Sequence, residues 1–158
     1  MNNLKEKEEE KKVKGLHLPS IFMNNEQKMK ELMNKRIWAI VGATPNTEKI
    51  ANRIYHTFKN NGYEVFAVNP NYEKMDDGSK CYSCLEDLPK TPDCIDFVVP
   101  PAITMKTLTE TDPDTIPNIW LQPGTYNDNI VKYAEEKGFT VVHEGACALV
   151  YLNLHGKQ

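Results

Sequence analysis

Three groups of residues in this 158-residue chain have types and spacings suited to chemistry. The first is Val41-Gly-Ala-Thr-Pro45, a glycine turn between an apolar run and a helix-like segment opening around Asn46–Thr47. A strand that runs straight into a helix leaves backbone N–H groups unpaired and points the positive end of the helix dipole at the turn. Such a turn seats a phosphate or pyrophosphate without a dedicated cation. The second group is His143-Glu144. An imidazole that titrates near neutrality can serve as a general base. Adjacent residues at a strand end point in opposite directions, which weakens that pairing, so His143 also reads as a structural residue or a ligand contact. No catalytic residue is assigned. The third group is Cys81, Cys84, Cys94 and Cys147, too few and too irregularly placed for a disulfide framework. Cys81-Tyr-Ser-Cys84 lacks the second pair that a zinc site needs, so no metal is expected. Cys94 opens an apolar run and reads as core.

Several classes of function are excluded early. A Gly-x-Gly-x-x-Gly dinucleotide fingerprint needs glycines near Thr44 and Thr47, and neither is glycine. A formal net charge of −3 gives no reason to expect a nucleic-acid partner. No apolar run approaches the roughly 20 residues that span a bilayer. The first ten residues are charged where a secretory signal needs its apolar region, so the expected location is cytosolic.

The elements that must position these residues follow from periodicity. Residues 1–24 read as a charged extension and 25–158 as one domain. Residues 1–14 alternate Lys and Glu as a frayed helix or disordered tail, and 16–22 can dock on the domain or on a neighbouring subunit. Met29, Leu32 and Met33 mark one face of a short helix over 25–34. Strands are expected at 36–41, 64–68, 95–99, 118–121 and 140–142, with helices at 47–60, 102–109 and 128–137 and a short one from Ser83. Asn60-Asn-Gly62 and Gly138 stop two of the helices. Apolar strands alternating with helices predict an α/β fold: a doubly wound, Rossmann-like parallel sheet of about five strands.

In such a sheet, ligands bind beyond the carboxyl ends of the strands. Those ends are Gly42-Ala-Thr44, Asn69-Pro70, Val99-Pro-Pro101, Gln122-Pro-Gly124 and His143-Glu-Gly145, all rich in Gly, Pro and small polar residues. NAD binders place an acid at the end of the second strand, where this chain has Asn69. Lys74, a few residues on, suits a ligand with a phosphate on its ribose, or is simply a solvated loop lysine.

In this order, Val41-Gly-Ala-Thr-Pro45 with Lys49, Val68-Asn-Pro70, Val98-Val-Pro-Pro101 and Ile119-Trp-Leu-Gln-Pro-Gly124 resemble the CoA-binding domain family. These are small proteins similar to the N-terminal domain of the succinyl-CoA synthetase alpha subunit. The resemblance covers residues 34–151. It implies that Gly42, Ala43 and Thr44 face the pyrophosphate of coenzyme A, and that Lys74 or Lys49 meets the ribose phosphate. It places Val99 and Pro100 beside the adenine and Gln122 and Gly124 on the pantetheine side, and it counts Pro101 among the residues that bind the cofactor. His143-Glu-Gly-Ala-Cys147 departs from the family pattern, since the arginine that often precedes the family cysteine is absent. Cys147 matches that cysteine, and its thiol can form a mixed disulfide with CoA, or is a buried small residue closing the last helix.

The expected function is therefore a cytosolic CoA or acyl-CoA binding protein without a complete active site, able to form a homodimer. No counterpart of the phosphohistidine domain of the resembled synthetase is expected within these 158 residues. Two alternatives stay open: an NAD(P)- or nucleotide-sugar-dependent enzyme on the same fold, and the CoA-binding subunit of a split acyl-CoA ligase.

Overall fold

The computed structural model describes residues 18–156. The expectation for the Lys/Glu-rich segment, residues 1–14, lies outside the described residues. Helix α1 (Asn25–Met33) comes first, closed by a capping box in which Asn24 and Gln27 satisfy each other's backbone N–H groups. The chain then alternates: β1 (Ile37–Val41), α2 (Ile50–Asn60), β2 (Glu64–Val68), β3 (Cys81–Tyr82), β4 (Cys94–Phe97), α3 (Pro101–Thr109), β5 (Asn118–Leu121), α4 (Asp128–Lys137), β6 (Thr140–Val142) and α5 (Ala148–His155).

The six strands form one parallel sheet in the order β3-β2-β1-β4-β5-β6. The order reverses between β1 and β4, so the topological switch point lies beyond Val41 and Phe97, which pair in register. Side-chain alternation sends Trp38, Ile40, Trp120 and Val142 to one face and Ala39, Ile95, Phe97, Ile119 and Leu121 to the other. Leu32, Met33, Ile54, Phe58 and Leu152 bring α1, α2 and α5 over the first face. Leu108, Ile130 and Ala134 bring α3 and α4 over the second. Trp38 stacks at 4.6 Å on Phe58 and meets Trp120 edge-on at 6.3 Å, and each indole N–H donates to a backbone carbonyl. Truncating either indole to alanine costs about 3–5 kcal/mol.

Several expected features change in detail. Helix α2 begins at Ile50 rather than near Thr47, because the Thr44 hydroxyl and Asn46 carboxamide accept N–H bonds from Asn46 and Glu48. The helix expected from Ser83 is only a 3-10 turn, Leu85–Asp87, with Pro89 following closely. The sixth strand is β3, a two-residue edge pairing with Ala67 and Val68. The third strand begins at Cys94, which pairs with Trp38 and Asn118, and ends at Phe97 before the two prolines. In the segment before α1, Ile21 and Phe22 are exposed and do not pack on this domain.

Candidate functional site

A cavity of about 400 Å3 opens at the switch point. Its floor is Val41, Gly42, Val98 and Val99; one wall is Asn69, Pro70, Asn71 and Ser83–Glu86, and the other is one face of α3. Gly42 holds φ +100°, and a β-carbon there would stand 2.2 Å from the Val98 carbonyl oxygen. Only glycine lets these two strand ends come so close. Lys49 stands at the N-cap of α2 and makes no side-chain capping bond, so the first-turn N–H groups have no side-chain acceptor there.

Side-chain bonds to backbone hold the turn in place. Asn69 Nδ2 donates to the Ala43 carbonyl at 2.9 Å, and Asn69 Oδ1 accepts from Asn71 N at 3.0 Å. The Asn52 amide donates to the Thr44 carbonyl and to Asp76, and Asp76 bonds His56. Burial pushes the Asp76 carboxyl up, but the bonds from His56 and Asn52 outweigh it and leave its pKa lowered.

Of the residues expected to meet a ligand, the structure brings Gly42, Asn69, Pro70, Val99 and Pro100 together around this cavity. Ala43 and Thr44 are buried behind them. Pro101 occupies the first position of α3, where its missing N–H costs nothing. Lys49 and Lys74 are exposed and do not line the cavity; Lys74 pairs with Lys80 in an antiparallel bridge. Lys106, which sequence reasoning missed, is the cation on the cavity wall. Ile103, Lys106, Thr107 and Glu110 recur at spacings of three and four on one helix face, a periodicity that marks them as neighbours.

Gln122, Gly124, His143 and Cys147 lie apart from that cavity, beyond β5 and β6. Gln122 is buried; its Nε2 donates to Cys147 Sγ at 3.2 Å and its Oε1 accepts from Ala148 N at 2.9 Å. Gly124 is exposed, with φ +88°. The backbone N–H and carbonyl of His143 both bond the Asn25 side chain, and its ring meets Tyr126 edge-on. No hydrogen bond joins that ring to Glu144 among the described residues. The same residues contain no group of three or more His, Cys, Asp or Glu that could hold a metal.

Asp96 was also missed. It is 0% exposed on the Trp38 face of the sheet, and neither carboxyl oxygen has a hydrogen-bond partner among the described residues. Burial, and next the charge that a Cys147 thiolate would carry, raise its carboxyl well above the usual carboxylate range.

A doubly wound parallel sheet with a glycine turn, an uncapped helix and a cleft at its switch point defines a Rossmann-like α/β class of domain. Residues 36–153 match the CoA binding domain family, and the chain belongs to it. It is 32% identical over 82 residues to an ADP-forming acetate–CoA ligase I of Archaeoglobus fulgidus, a stretch that is 52% of this chain and 12% of that one. The chain thus matches only a small part of the length of that curated relative. A hypothetical protein from Pyrococcus horikoshii superposes with a TM-score of 0.75 at 30% identity, covering 87% of this chain and 96% of that one. The dinucleotide-forming acetyl-coenzyme A synthetase 1 of Ca. Korarchaeum cryptofilum, solved with phosphate and ADP, shares the fold. Its TM-score is 0.63 at 21% identity, over 74% of this chain and 27% of that one.

Proposed function

We propose that this domain binds coenzyme A or acyl-CoA and performs no complete reaction of its own. The observation that carries this reading is the commitment of Asn69 at the end of β2. Both of its polar side-chain atoms bond local backbone, so the end of β2, where NAD binders place an acid, offers no carboxylate to the ribose hydroxyls. Lys106 faces the same cavity and suits a ligand bearing an extra phosphate. The uncapped N-terminus of α2 and the Gly42 turn supply the pyrophosphate seat. Gln122, Gly124, His143 and Cys147 then serve the pantetheine end. The four cysteines are free thiols, which suits a reducing cytosol.

The similarity to an ADP-forming acetate–CoA ligase favours a second reading, in which this domain is the CoA-binding component of a split acyl-CoA ligase. Co-purification with a nucleotide-binding partner supports that reading, and a homodimer stable in isolation counts against it.

Thermal unfolding with added ligand tests the first reading. CoA at 100 times its Kd stabilises the fold by about 2.7 kcal/mol, which raises Tm by roughly 5–10 °C in a chain of this size. NAD(H) leaves Tm unchanged. Equal protection by both ligands, or by neither, contradicts the proposal.

A further inference from the structure

Thr44 is held from two sides by side-chain amides. Asn69 Nδ2, just past the end of β2, donates to the Ala43 carbonyl at 2.9 Å. Asn52 Nδ2, in the first turn of α2, donates to the Thr44 carbonyl at 3.0 Å. These carbonyls belong to the planar peptide units before and after Thr44, so its backbone is fixed on both flanks. Asn52 is 3% exposed and gives its second amide hydrogen to Asp76 at 2.8 Å. Asp76 is braced in turn by His56 at 3.0 Å, one turn further along α2. A buried amide is costly unless its bonds are made, and here both hydrogens are used.

What the clamp leaves over is a pair of donors on one residue. A trans peptide sends its N–H opposite to its C=O. Asn69 draws the Ala43 carbonyl to its own side and so turns the Thr44 N–H away from it. That N–H has no hydrogen-bond partner among the described residues. The Thr44 hydroxyl accepts from Asn46 N at 3.1 Å, and its own hydrogen meets no acceptor among them either. An unpaired backbone donor on a residue only 7% exposed is rare in a folded protein. An N–H and an O–H side by side suit an anionic oxygen, which accepts from both.

We propose that Asn52 is a positioning residue which, with Asn69, holds the N–H and hydroxyl of Thr44 in place for a phosphoryl oxygen of the ligand. This rests on the CoA-binding reading above and names the side chains that set the affinity of its pyrophosphate seat. Asn52 acts through Thr44 and not on the ligand. Its two bonds tie the turn after β1, the first turn of α2 and the loop carrying Asp76 into one unit. Without the amide, the Thr44 carbonyl loses its tether and the two donors lose their fixed direction.

The test titrates the full chain and its Asn52→Ala variant with CoA, inorganic pyrophosphate and adenosine 3′-phosphate, which has the base and ribose phosphate but no pyrophosphate. Binding is read by calorimetry and by the amide resonances of 15N-labelled protein. In wild type, CoA and pyrophosphate each move the Thr44 amide resonance in a saturable way. Asn52→Ala weakens both about tenfold, the loss of one charge-assisted bond, and diminishes that movement. Its affinity for adenosine 3′-phosphate changes less than about twofold. A residue that served the fold alone would weaken all three ligands alike, and that result overturns the inference. So does a Thr44 amide that stays still in wild type while CoA binds, a result that decides the matter even where Asn52→Ala does not fold. Wild type that ignores CoA while pyrophosphate still moves Thr44 overturns the CoA reading and leaves the clamp standing as an anion seat.

Discussion

Gly42 and Val98 touch backbone to backbone: a β-carbon on Gly42 would lie 2.2 Å from the Val98 carbonyl oxygen and 2.9 Å from its carbon. The ladder on either side fixes the contact, since Gly42 N donates to the Val68 carbonyl and Val98 N to the Val41 carbonyl, both at 2.9 Å. The turn has no room to back away. Gly42→Ala adds this clash to a positive φ and is expected to cost roughly 2–5 kcal/mol. Gly78 shares a positive φ but has open space around it, so Gly78→Ala costs only about 1–2 kcal/mol. Urea unfolding of the two variants separates clash from strain; equal losses would show that the Val98 contact carries no weight.

Lys106 lines the cavity, and Lys49 and Lys74 do not. Lys106→Ala is expected to weaken CoA binding about tenfold, the loss of one charge-assisted bond. Lys49→Ala and Lys74→Ala change it less than about twofold, as exposed charges do. Calorimetric titration of the three variants checks the assignment, and the reverse ranking would return the phosphate to the loop lysines.

Asp96 makes stability depend on pH in a definite direction. Its folded pKa lies above its unfolded value, so between the two the unfolded state binds fewer protons and stability falls as pH rises. The slope is at most about 1.4 kcal/mol per pH unit, beginning above the ordinary carboxylate range. Asp96→Asn should flatten that decline and be more stable than wild type at neutral pH. Denaturant unfolding across the range decides, and parallel curves for the two proteins would contradict it.

Asp77 acts in the opposite sense. Burial alone would raise its carboxyl, but Lys59 at 2.6 Å and the Ser79 N–H and hydroxyl outweigh it and hold the pKa well below the usual range. Its contribution is present above the unfolded carboxylate value and is lost as pH falls through the folded one. Both side chains are partly solvated, so Asp77→Asn should cost only about 0.5–1 kcal/mol at neutral pH. The difference from wild type should vanish in strong acid; a gap that persists there would assign the effect to packing.

Much of this architecture was legible in the chain because period and punctuation agree. Strands β2, β5 and β6 and helix α4 have the expected bounds, and Gly138 ends α4 at φ +114° as a left-handed cap should. Helix α5 was hidden because Ala-Leu-Val-Tyr-Leu is apolar on every side and carries no helical stripe. Strand β3 exists only through pairing with β2, a tertiary effect that two residues cannot announce. The strand-end residues around the cavity were legible because topology alone places them. Lys106 was not, because its role depends on which face of α3 meets the cleft. Asp96 sits in an apolar strand, and burial without a partner is a property of the packed fold.

Calorimetric titration of CoA into the purified chain tests the central claim most directly. The account predicts one saturable site of micromolar affinity, about −8 kcal/mol, that NAD(H) does not compete for. Absence of binding at millimolar CoA, or displacement of CoA by NAD(H) at comparable concentration, would contradict it.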